Sequence, residues 1–212
     1  GTEPDGLEVV FRGADATLTS GREYDLPAGK VGTWELTVTV SSRVADGGGF
    51  LFQRRGFLLA HRTQDYNPEG RDYVTLDSGA ETRLELTVNT LNQSHRPSFA
   101  QVRVVGGALI PGDSFTVRVG DRREGGPGSE VYDSTTLARF VAAVDRDGSG
   151  VYRELAESPV RVRITSEPQP HMLRVLGPSV APVDEDFPLH VIAFDPHRNV
   201  CEQYDGQVQL TA

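Results

Sequence analysis

Strict alternation of apolar and polar residues recurs along this chain, and it limits the possible folds more than any other feature. In residues 33–40, Trp34, Leu36, Val38 and Val40 fall on one side, while Glu35, Thr37 and Thr39 fall on the other. Successive side chains of a strand point to opposite faces, so this pattern describes a strand buried on one side only. Residues 83–88 repeat it with Leu84, Leu86 and Val88 inward, and residues 114–119 with Phe115, Val117 and Val119. Residues 160–164 set Val160, Val162 and Ile164 against Arg161 and Arg163. Shorter runs with strand character lie at 7–12, 50–53, 73–76 and 99–105.

Turn signals separate these runs: Pro27-Ala-Gly29, Asp46-Gly-Gly-Gly49, Asn67-Pro-Glu-Gly70, Asp77-Ser-Gly79 and Pro111-Gly-Asp113. Each supplies a preset φ or a residue that tolerates positive φ where the chain reverses. Residues 134–144 are the best helical candidate, but Phe140-Val-Ala-Ala-Val144 reads equally well as a buried strand. The expected fold is an all-β, antiparallel β-sandwich, jelly-roll-like, of roughly ten strands over residues 1–167.

A boundary falls at Ser166-Glu-Pro-Gln-Pro170, where two prolines cannot continue a ladder. Beyond it the pattern restarts at 172–176, 187–194 and 207–211. Three strands cannot close a sandwich, which leads to the expectation that residues 168–212 are an incomplete immunoglobulin-like domain and that the natural chain continues.

Charge and composition narrow the function. The net charge of −9 opposes a nucleic-acid surface, which needs clustered cations to displace counterions. No apolar run approaches the roughly 20 residues of a membrane helix, so no membrane span is expected. A single cysteine, Cys201, cannot form an internal disulfide, and the compartment stays open.

Two resemblances rest on particular residues. Phe187-Pro-Leu-His-Val-Ile-Ala-Phe-Asp195, then Asn199, then 204–211 resemble the opening of bacterial immunoglobulin-like repeats of the invasin and filamin type. Those families usually carry Gly before the Asn, where this chain has Arg198. The larger part has 33–38, Asp72-Tyr-Val-Thr75, Gly120-Asp-Arg122 with Gly125-Gly-Pro-Gly128, and Asp145-Arg-Asp-Gly-Ser-Gly150 followed by Glu157-Ser-Pro159, in that order. That order is similar to the N-terminal region of large bacterial proteins classed as a domain of unknown function. In that group two β-domains precede a domain similar to PHP-type metal-dependent phosphoesterases. The resemblance implies a non-catalytic accessory or interaction region whose partner is a downstream domain of the same polypeptide. It places the metal-binding histidines of that group outside these 212 residues.

Several residues are candidates for chemistry. Asp145, Asp147 and Ser149 take the alternate oxygen-ligand places of a calcium loop, and Gly150 takes its sharp-turn place. The twelfth position, where a bidentate Glu belongs, is Ala156, and a plain acidic hairpin turn reads the same residues equally well. The loop 120–128 lacks the Gly-Lys-Ser/Thr ending of a phosphate loop, but its Asp121 and Arg122 are candidate ligand contacts. Tyr66 is the best-placed exposed aromatic, and with Tyr73 and Tyr132 it defines the alternative of a carbohydrate-binding or adhesin-type module. The five histidines show no metal spacing, and neither a nucleophile elbow nor an activated cysteine is present, so no catalytic set and no cofactor beyond calcium is expected.

Overall fold

Each alternating run becomes a strand in the computed structural model. It describes residues 7–13, 17–20, 23–56, 59–89, 99–155, 160–181 and 183–209, with the backbone alone for 7–13 and 17–20. The first strands are β1 (Leu7–Gly13), β2 (Thr17–Ser20), β3 (Glu23–Pro27), β4 (Val31–Gly32), β5 (Trp34–Val40) and β6 (Gly49–Arg55). Then come β7 (Val74–Ser78), β8 (Arg83–Val88), β9 (Ala100–Val105), β10 (Ser114–Val119) and β11 (Ser129–Glu130). The order ends with β12 (Thr136–Asp145), β13 (Arg153–Glu154), β14 (Val160–Thr165), β15 (Met172–Leu176) and β16 (His190–Phe194). Among the described residues there is no helix, so the protein is all-β.

Two sheets share one core. The smaller runs β1-β5-β10-β7, and the larger runs β2-β3-β14-β12-β6-β9-β8 with β13 paired to β12. Trp34, Leu36, Val38, Phe115 and Val117 come from the smaller sheet. They join Phe50, Phe52, Val102, Phe140 and Val162 of the larger sheet in a single buried cluster. The Phe115 ring lies 5.0 Å from that of Phe50 and so ties one sheet to the other. The outward Thr37 and Thr116 hydroxyls meet at 2.9 Å on adjacent strands of the smaller sheet. This is a sandwich in which one-sided strands hide their apolar faces against each other.

The structure departs from the expectation in two places. Strands β3 and β14 pair parallel, Arg161 beside Glu23 and Ile164 beside Leu26, so the large sheet is mixed rather than antiparallel. Fourteen strands precede residue 167 rather than about ten. The additional ones are mostly short, such as β4, β11 and β13, where two residues each carry no period. Of the two readings open for residues 134–144, the strand holds: residues 136–145 are strand and are buried on both faces in their second half. The outer-face residues Val141 and Ala143 are nearly as buried as the inner Phe140 and Val144. Tyr152 accounts for part of that cover, because its hydroxyl accepts a 2.8 Å hydrogen bond from Gln101 on β9, across β12 and β6.

After residue 167 the chain forms the antiparallel pair β15–β16, with Met172 opposite Phe194 and Leu176 opposite His190. Every residue of β15 is exposed. The expected strand at 207–211 does not form over 207–209, and its last two residues lie outside the described part, as do His95, Ala156 and Glu157.

Candidate functional site

The most organised polar site lies where residues 195–199 meet the rim of the sandwich. Asp195 follows β16 and is 1% exposed. Its Oδ1 accepts the amides of His197 at 2.9 Å and Asn199 at 2.8 Å, which winds the chain into a tight turn. A carboxylate that accepts from its own following amides sets a turn without help from a ladder. Its Oδ2 accepts the Asn199 side-chain amide at 3.0 Å and the backbone amide of Glu167 at 3.2 Å. Burial pushes this carboxyl up, but the Asn199 side chain and the three amides outweigh it and hold Asp195 below the ordinary carboxylate range.

Asn199 carries the contact onward. Its Oδ1 accepts the Thr135 amide at 3.0 Å, and its Nδ2 donates to the Asp133 carbonyl at 2.8 Å. Both partners sit in the segment leading into β12. The His197 ring rests on Gly29, so closely that a Cβ there would lie 2.2 Å from its Nε2. Gly29 also has a φ of 68° and donates its amide to the Tyr132 carbonyl at 3.3 Å. Arg198 occupies the left-handed region at φ 68°. The Cys201 thiol is buried beneath, and burial, with Asp195 and Glu167 nearby, raises it above the usual range. None of these residues was a candidate in the sequence. The Asp–Asn spacing of four was visible only as part of a resemblance.

The glycine-rich loop holds a second network. Asp121 is 2% exposed and accepts Thr75 Oγ1 at 2.5 Å, the Arg123 guanidinium at 2.5–3.0 Å and the Arg123 amide at 3.0 Å. Burial would raise its pKa, but the Arg123 side chain, Thr75 and the Arg123 amide together hold it well below the usual range. Arg123 continues to Asp77 at 2.9 Å, and Asp77 also pairs with Arg118, which pairs with Glu35 at 2.7 Å. The candidate Arg122 folds back on its own loop, donating to the Pro127 carbonyl from two nitrogens at 3.0 and 2.8 Å. Asp121 and Arg123 therefore fasten the loop to the outer face of the smaller sheet, while Arg122 closes the loop on itself.

The acidic turn closes on backbone. Asp145, 1% exposed, accepts the Gly148 amide at 3.0 Å and the Gly150 amide at 2.7 Å, one per oxygen. Asp147 and Ser149 are exposed; Asp147 accepts the Ser149 amide at 3.1 Å. Gly148 packs on the Asp46-Gly47 turn, where a Cβ would lie 2.9 Å from the Asp46 carbonyl oxygen. Among the described residues no group of three or more His, Cys, Asp or Glu is placed to hold a metal ion. Tyr66 is 83% exposed in a turn that Gln64 organises, accepting the Tyr66 and Asn67 amides. Tyr132 instead packs, partly buried, against the core, and so differs from the exposed Tyr66.

A further buried carboxylate, Asp72, sits at φ 60° and accepts the Ser129 hydroxyl. Burial raises its pKa, with Ser129, His61, Arg71 and Arg54 opposing.

Fold and sites together define an all-β protein whose buried carboxylates organise loops. No family model matches the chain, and no curated protein matches it. Among solved structures it is similar to AvmM, titled as catalysing macrocyclization in alchivemycin A biosynthesis. That likeness has a TM-score of 0.35 and 10% identity, over 79% of this chain and 93% of that one. At that level it carries no argument about fold detail or chemistry.

Proposed function

We propose that this chain is a non-catalytic accessory region, one that holds a neighbouring unit of the same polypeptide in a fixed orientation. The observation that carries it is the joint of Asp195 and Asn199: two side-chain hydrogen bonds to backbone amides close the turn 195–199, and three more bind it to Asp133 and Thr135 on the sandwich rim and to Glu167. A buried, fully bonded carboxylate at a junction resists hinge motion, because opening it strands a charge without partners. Residues 168–209 then belong to a second, immunoglobulin-like unit. The carboxylates Asp121 and Asp145 support the same reading, since loop amides and side chains engage their oxygens.

The test is Asn199→Ala, followed by amide nitrogen relaxation. The wild type tumbles as one body, whereas the variant is expected to keep the sandwich folded while residues 172–194 gain independent motion. Equal mobility in both proteins would remove the joint from the account. Turnover of bis(p-nitrophenyl) phosphate by the wild-type chain with added manganese or zinc would overturn the non-catalytic reading.

A further inference from the structure

The outer face of the larger sheet carries a row of like charge. Arg139 on β12 is the direct partner of Arg55 on β6 and of Arg161 on β14. All three are exposed and point away from the core, because Ala138, Phe140 and Val162 take the inward places. Directly paired residues stand about 4.5–5.5 Å apart at Cα, so the three guanidiniums span roughly 10 Å across adjacent strands.

The ends of the row are neutralised. Arg161 pairs with Glu23 at 2.8 Å, and Arg55 pairs with Glu154 at 3.0 Å. Arg139, between them, has no ion pair or side-chain hydrogen bond with any described residue. Like charges directly opposed across strands are destabilising, and this row contains two such pairs in succession. Beside it opens a shallow cleft of about 450 Å³ lined by Glu23, Asp25, Leu137, Arg161 and Arg163. Leu137 is 56% exposed there. Arg163 stands 3.8 Å from Asp25.

We propose that the Arg55–Arg139–Arg161 row is an oxyanion-binding strip, taking one carboxylate or phosphate group of a ligand laid across β14, β12 and β6. One oxyanion fits better than a run of them. The chain carries a net charge of −9, and Glu23 and Glu154 flank the row, so a polyanion meets repulsion at both ends. A single group at the centre meets Arg139, whose guanidinium has no partner among the described residues, and relieves both like-charge contacts. Arginine suits the task, because its planar fork matches carboxylate and phosphate. The inference is independent of the joint at Asp195.

The experiment titrates inorganic phosphate and, separately, acetate into the intact chain, with chloride holding ionic strength constant. The readout is the Nε–Hε resonances of its arginines. Arg139 is expected to shift and saturate, with Arg55 and Arg161 following, while Arg83 on β8 stays still. Arg139→Gln should abolish the shifts at Arg55 and Arg161, and Arg83→Gln should leave them. A larger response to phosphate assigns a phosphoryl ligand, and a larger response to acetate assigns a carboxylate. No saturable shift with either anion, or shifts at Arg55 and Arg161 that survive Arg139→Gln, would overturn the proposal.

Discussion

Arg198 shows how one residue can strain a turn that its neighbours enforce. The Asp195 carboxylate and the Asn199 backbone close the turn around it, leaving its φ at 68°. The left-handed region costs an ordinary L-residue about 1–2 kcal/mol, a cost glycine avoids. Arg198→Gly should therefore raise stability by about 1 kcal/mol, less whatever glycine's extra freedom in the unfolded chain returns. Urea denaturation with an unchanged slope would measure it. Acid titration tests the depressed carboxylates. Asp121 and Asp195 have folded pKa values below their unfolded ones, so their contribution is complete above the unfolded value near 3.8. It disappears as pH falls through the folded values, because the unfolded chain binds protons first. Asp195→Asn should flatten that loss of stability below pH 4, and an unchanged acid limb would contradict the assignment. Asp72 acts in the opposite sense, since its raised folded value removes stability as pH climbs above 3.8.

At the scale of the element, β12 explains both what the sequence made legible and what it did not. The strands β5, β10 and β14 were readable, because water on one face and core on the other enforce period two. In β12 the pattern is hidden over 140–145, where Tyr152 reaches across the outer face and even Val141 and Ala143 are buried. Sequence alternation reports exposure rather than strand geometry, so a strand covered twice reads as helix and buried strand alike. The parallel β3–β14 pair was equally unreadable, since it joins residues some 138 apart by register alone. Asp121 and Asp145 were found through glycine-rich turn chemistry. Their bonds run to nearby amides and to Thr75 and Arg123, and only coordinates show those. The same central strand carries the middle of the arginine row, whose repulsion predicts that Arg139→Thr stabilises the fold by roughly 0.5 kcal/mol at low salt. Screening should shrink the gain by 1 M salt. Thermal melts at the two ionic strengths would check this.

For the whole molecule, the deciding feature is how residues 168–209 attach. Met172, Leu173, Val175 and Leu176 on β15 are 36–47% exposed, so packing against the sandwich does not hold that hairpin. Hydrogen bonds of the Asp195–Asn199 turn and the seating of His197 on Gly29 hold it instead. Gly29→Ala should loosen the attachment, because a Cβ at that spot meets the imidazole and the backbone is left-handed. A melting temperature equal to that of the wild type would contradict the close packing. The most direct measurement is of residual dipolar couplings on the wild-type chain, fitted separately for the sandwich strands and for β15–β16. A single alignment tensor for both sets is the predicted result. Two tensors of different orientation or magnitude would show a free hinge and contradict the account.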